Sequence, residues 1–246
     1  MKQISRIIRI WIPVLLLFVG APALCHFRAI PHVTAQQKNQ LRKLAMNAGR
    51  NIQAQRRVLR QSRRDLFRLY MNYRLDEHRI RTDLDKIHVS QVRLLNIHLE
   101  SQIALRRILT QNQFSVFIGA VEKRHQRHPR AVGKGAFAAN LFTDRAINSA
   151  GLNPAQRKRM LLLARQMNRR RLIVGRLRQS VDQMIGLYSR YKLDIPAAKK
   201  LINKIHLLQL RLSEMNHKRQ SELRSIVTEA QFQRLKAAAF GKKRPK

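Results

Sequence analysis

An internal duplication constrains this chain more than any other feature of its 246 residues. Displaced by 118 positions, residues 59–114 align without gaps on 177–232. Leu59-Arg60-Gln61-Ser62 answers Leu177-Arg178-Gln179-Ser180, and Tyr73-x-Leu75-Asp76 answers Tyr191-x-Leu193-Asp194. Lys86-Ile87-His88 matches Lys204-Ile205-His206 further along, and all four tyrosines, Tyr70, Tyr73, Tyr188 and Tyr191, occupy duplicated positions. Upstream, Val33-Thr34-x-x-Gln37 answers Leu152-Asn153-x-x-Gln156 at an offset of 119, one insertion or deletion away. Two copies are too few for a solenoid, so a pair of equivalent units is expected. The predicted division is a first repeat over 26–126, a linker over 127–151 that holds Pro129, Gly133 and Gly135, a second repeat over 152–240, and a basic tail over 241–246.

Within each repeat one local pattern recurs, an apolar residue followed by Thr or Asn and, three positions on, Gln. It occurs as Val33, Thr34, Gln37; Leu109, Thr110, Gln113; Leu152, Asn153, Gln156; and Val227, Thr228, Gln231. The spacing is that of a capping box: the Thr or Asn oxygen accepts from the first-turn amides, and the Gln at N3 reaches back to the N-cap amide. Leu109 with Phe114 and Val227 with Phe232 add the spacing of a hydrophobic staple, and Pro154 sits where its missing N–H costs nothing. The pattern predicts capped helix starts, with direct ligand binding by the glutamines as the lesser reading. Asp76 and Asp194 predict two further N-caps, each opening a long helix, and Gly49 marks a bend in the first helix. About four helices per repeat result. With only 9 Gly and 7 Pro, strands and tight turns have little to build on.

Fifty-one Lys and Arg stand against 13 Asp and Glu, a formal charge of +38, while 44% of residues are apolar. That is enough for a packed core and too much for a disordered polycation. The charge points to polyanions, anionic surfaces or acidic polypeptides. The N-terminus narrows the choice. Lys2, Arg6 and Arg9 precede an apolar run that ends in Ala21-x-Ala23, which reads as a secretory signal peptide over 1–23, and its loss lowers +38 to +35. A retained anchor or a lipid on Cys25 are the alternatives; the apolar run is short for a span and contains Pro13, and Pro22 and Leu24 fit a lipid-attachment signal poorly. Export to the periplasm argues against nucleic acid as a partner.

Four capping motifs at matching spacing behind a signal peptide resemble the LTxxQ family of bacterial envelope proteins, the group of Spy and CpxP. The resemblance rests on Ile108-Leu109-Thr110-x-x-Gln113-Phe114, Leu152-Asn153-Pro154-x-Gln156 and Ile226-Val227-Thr228-x-x-Gln231-Phe232, and it spans both repeats. It implies an all-α fold of helical hairpins that pair antiparallel into a cradle. It also implies an ATP-independent chaperone activity on unfolded or misfolded envelope proteins. A CpxP-like regulator docking on the periplasmic domain of a sensor kinase is the alternative, and a protein that binds lipopolysaccharide or other polyanions is a third. Family members carry one copy; here the duplication is expected to fuse the pair into one chain, a monomer acting as a pseudo-dimer.

For client binding the expected basic face comprises Arg56, Arg57, Arg60, Arg63 and Arg64 in the first repeat, and Arg169, Arg170, Arg176 and Arg178 in the second. Arginine suits it, because its stem packs on apolar surface while its head pairs with carboxylates. The duplicated His88 and His206 are expected to make interhelical hydrogen bonds. His125-x-x-His128 lacks neighbouring carboxylates and is not read as a metal site, and no catalytic constellation or cofactor motif is present in the sequence.

Overall fold

A computed structural model of the chain describes residues 30–127, 141, 143–165 and 167–240. The signal peptide, Cys25, His128, most of the linker and the basic tail therefore lie outside the described residues, as do the side chains of His125 and Arg169. The described chain is all-α: α1 (Ala35–Tyr70), α2 (Glu77–Ile108), α3 (Gln111–Arg127), α4 (Asp144–Ser149), α5 (Pro154–Arg165), α6 (Met167–Tyr188), α7 (Ile195–Ile226) and α8 (Glu229–Phe240).

Local chemistry sets these boundaries. All four Thr/Asn-x-x-Gln motifs close as capping boxes, with N3 amide to cap oxygen distances of 2.8–3.3 Å. The reciprocal cap amide to Gln Oε1 bonds measure 2.9–3.1 Å. Asp76 and Asp194 accept from Arg79 N and Ala197 N and so open α2 and α7, and Pro196 falls in the first turn of α7. The first repeat departs from the expected helix count. α1 runs 36 residues without a break, since Gly49 alone cannot bend a helix whose amides stay bonded and nothing approaches it within 4 Å. Its span of about 54 Å follows from the 1.5 Å rise.

α1 and α2 form one antiparallel hairpin, α6 and α7 another, and α2 packs against α7 between them. The two hairpins bury the middle of the molecule: Ile52, Leu59, Ile87 and Leu94 in one cluster, Leu95, Leu177, Val181, Met184 and Ile205 in the next. At one end α3 hooks back, and Phe114, Phe117 and Val121 meet Leu41, Leu105 and Leu109. At the other, α8 brings Phe232 and Leu235 against Met160, Leu163, Leu223 and Val227. Part of the span read as linker belongs to this second end. Thr143 caps α4, and Leu141, Ala146, Ile147 and Ala150 are buried there, which four apolar residues too closely spaced to show a period did not announce.

Candidate functional site

The capping glutamines do more than cap. Gln37 Nε2 donates to Ile108 O at 2.7 Å and to Gln113 Oε1 at 3.1 Å, while Gln113 Nε2 donates to His32 O at 3.0 Å. In the second repeat Gln156 Nε2 donates to Ile226 O at 2.8 Å and to Gln231 Oε1 at 3.0 Å, and Gln231 Nε2 donates to Gly151 O at 3.0 Å. Each pair of motifs is thus a clasp that ties two helix starts to the last carbonyl of a third helix. The residue offering the outer carbonyl is left-handed in both repeats, His32 at φ 53° and Gly151 at φ 64°. With every donor of these amides engaged inside the protein, the twelve motif residues form structural joints.

A second set of contacts runs between the repeats. The Arg106 guanidinium, near the end of α2, donates to the carbonyls of Tyr188, Arg190 and Tyr191 at 2.7–3.1 Å. The equivalent Arg224 at the end of α7 donates to Tyr70, Asn72 and Tyr73 at 2.6–3.1 Å. In return Tyr191 Oη donates to Leu109 O and Tyr73 Oη to Val227 O, at 3.1 and 2.9 Å. Arg106 lies over the Phe114 ring and Arg224 over Phe232, with 4.4 and 4.6 Å to the centroids. Burial pushes both guanidiniums down to about 10, well short of neutrality at physiological pH. Each repeat therefore inserts its hairpin turn into the other repeat's end cluster. Sequence reasoning passed over Arg106 and Arg224, although their 118-residue separation was the signal that could have found them.

The expected basic face divides on inspection. Arg57, Arg60, Arg64, Arg176 and Arg178 are exposed, and Arg56 is half-buried. Arg170 is 8% exposed and does not belong to a solvated face: its position on α6 points between the hairpins. Arg63 lines the same space. On α1, Met46, Arg50, Arg57, Arg60, Arg64 and Phe67 follow one another at helical spacing along one exposed stripe. Met46 and Phe67 are 45% and 40% exposed, and on α6 Leu172, 69% exposed, stands one turn from Arg176.

The duplicated histidines also depart from expectation. His88 and His206 meet ring to ring, edge to face at 6.2 Å, and His88 Nε2 and His206 Nδ1 have no hydrogen-bond partner. Burial lowers the pKa of both, His88 further through His206, because packing at the α2–α7 crossing removes water without supplying an acceptor. A third group was not foreseen: Tyr70 Oη lies 3.3 Å from His217 Nδ1, and His217 Nε2 lies 2.9 Å from a Glu77 carboxylate oxygen. Their counterparts 118 residues away are Tyr188, Leu99 and Ile195, so duplication gave no sign of it.

Among the described residues no group of three His, Cys, Asp or Glu could hold a metal ion, and no helix is long and apolar enough to cross a membrane. Comparison with protein-family models, curated proteins and solved structures finds no match to this chain.

Proposed function

We propose that this protein is an exported, ATP-independent chaperone of the bacterial envelope that holds unfolded polypeptides on exposed arginine stripes flanked by apolar side chains. The stripe of Met46, Arg50, Arg57, Arg60, Arg64 and Phe67 carries the reading. An unfolded chain offers acidic groups and apolar groups in no fixed order. A run of guanidiniums with exposed apolar side chains at both ends can engage it without sequence preference, and the guanidinium stems add apolar contact of their own. A charge of +35 on the exported chain draws such polypeptides in over distances set by ionic strength. The resemblance to the LTxxQ family and the leader-like first 23 residues supply the compartment.

The reciprocal insertions of Arg106 with Tyr191 and Arg224 with Tyr73 support a further part of the reading, that the two repeats stand in for the two subunits of a cradle-like pair. The test is suppression of aggregation of a reduced, unfolding protein by the purified chain without nucleotide, repeated with Arg57, Arg60 and Arg64 all changed to Gln. Suppression by the parent chain, and its loss in the variant, are expected. A chain that does not suppress aggregation at any ratio overturns the proposal, and altered envelope-stress signalling or tight lipopolysaccharide binding in its place would assign it to a regulator or a polyanion binder.

A further inference from the structure

Between α1, α2, α6 and α7 lies a cleft of about 200 Å3. Its walls are largely aliphatic, with Leu66, Leu84 and Ile87 from the first repeat facing Val174, Leu177 and Leu212 from the second. Two arginines share this lining, and none of its described residues is acidic. Arg63 is exposed as a whole, yet burial lowers the pKa of its guanidinium, while Arg170 is deep, with its Nε lacking any hydrogen-bond partner. Three amides that reach the cleft, Gln91, Gln209 and Asn216, each leave the side-chain oxygen, an acceptor and not a donor, unpartnered. A buried guanidinium without a counter-charge is strongly unfavourable, and a third arginine makes matters worse. Arg219, 6% exposed, is held down to about 10 by burial and by the charge of Arg170.

The duplication shows that this cost is not imposed by the fold. At the positions 118 residues away, Arg63 is matched by Val181 and Ser213 by Leu95; carried back beyond the ungapped block, the same offset sets the buried Arg170 against the equally buried Ile52. Ile52 and Val181 are 2% and 4% exposed within apolar clusters, while Val174 and Asn216 are answered by Arg56 and His98, so the equivalent space keeps one arginine where this one has two. Two buried aliphatic side chains thus stand where this cleft, lined by both repeats, carries Arg63 and Arg170. The volume falls below the roughly 300–1,000 Å3 of sites for drug-sized molecules, which limits an occupant to a short one. Aliphatic walls gain nothing from an inorganic ion, and a guanidinium fork matches a planar carboxylate with two parallel hydrogen bonds.

We propose that this cleft binds a small amphiphilic monocarboxylate, its head paired with Arg170 and Arg63 and a short aliphatic body lying on the leucine, isoleucine and valine walls. The site is separate from the exposed stripes of the chaperone reading and stands without it. Titration calorimetry and thermal melts of the full chain with octanoate, 1-octanol and inorganic phosphate test it, together with Arg170→Ile and the exposed control Arg176→Ile. Arg170→Ile copies the counterpart residue and removes a buried charge, so the variant should melt no lower than the parent. Octanoate should bind saturably at one site, raise the melting temperature, and lose at least tenfold in affinity in Arg170→Ile but not in Arg176→Ile. Absence of saturable octanoate binding, or equal binding to Arg170→Ile, overturns the proposal. So does 1-octanol binding as tightly as octanoate, which makes the cleft a purely apolar cavity, or phosphate binding more tightly, which makes it a plain anion site.

Discussion

A glutamine at N3 has one obvious use, to reach back to the N-cap amide, and its carbonyl oxygen does that at all four motifs. The amide nitrogen is left over, and its partners come from 70 to 81 residues away. The cap was therefore legible from four adjacent residues, whereas the clasp depends on which helix end lies alongside, something no local pattern encodes. Gln37→Ala and Gln113→Ala should each lower unfolding free energy by about 1–3 kcal/mol, since each leaves a carbonyl and an amide without partners. Urea denaturation of the two single variants and the double should give a coupling of at least about 0.5 kcal/mol, as expected for side chains in one network; strict additivity would reduce the clasp to two independent caps.

Buried histidine is the other residue-scale feature with a measurable consequence. His98 is 2% exposed, neither ring nitrogen has a partner, and burial together with the Arg56 charge pushes it down to about 3. The folded state thus holds a neutral imidazole where the unfolded chain takes up a proton near pH 6.5. Stability from this group is complete above that pH and declines as pH falls from 6.5 toward 3, by up to about 1.4 kcal/mol per unit. His88 and His206 act in the same direction. In urea titrations between pH 7 and 4, His98→Asn, which installs the residue found at position 216, should flatten this acid slope; an unchanged slope would place the acid sensitivity elsewhere.

At the scale of elements, α2 and α7 each end on an arginine that reaches across to the other repeat's hairpin turn. Such a contact is specific to guanidinium, whose planar fork meets three carbonyls at once. Arg224→Lys should therefore behave almost as badly as Arg224→Leu, each costing at least about 2 kcal/mol, with hydrogen exchange rising first in 70–73 and around Val227. A lysine variant that melts like the parent would mean that charge alone suffices. The cap positions of α2 and α7 were readable because Asp76 and Asp194 act on their own next turn. α1 and α4 were misjudged for opposite reasons. A single glycine was given too much weight in a helix with no other breaker, and six helical residues are too few to display a period.

Over the whole molecule the charge acts in two ways that salt separates. Self-repulsion opposes compaction, so the melting temperature should rise as ionic strength increases from about 20 to 300 mM. Attraction of clients should weaken across the same range. Opposite trends in the two readouts are expected, and client holding that tracks stability instead would leave the arginine stripes as solubilising surface only. The sequence could place +38 in the chain but could not say which arginines face water, because Arg170 and Arg171 differ by one position and by a complete change of surroundings.

The contrast between Arg170 and Ile52 also bears on what duplication permits. When one polypeptide pairs with a copy of itself, every substitution appears twice, and an arginine buried on one side brings a second on the other. Two linked copies are free of that rule. Each can accumulate changes alone, so two equivalent spaces between the copies can be lined differently, one by isoleucine and valine and the other by arginine. The chain is, in that sense, its own heterodimer.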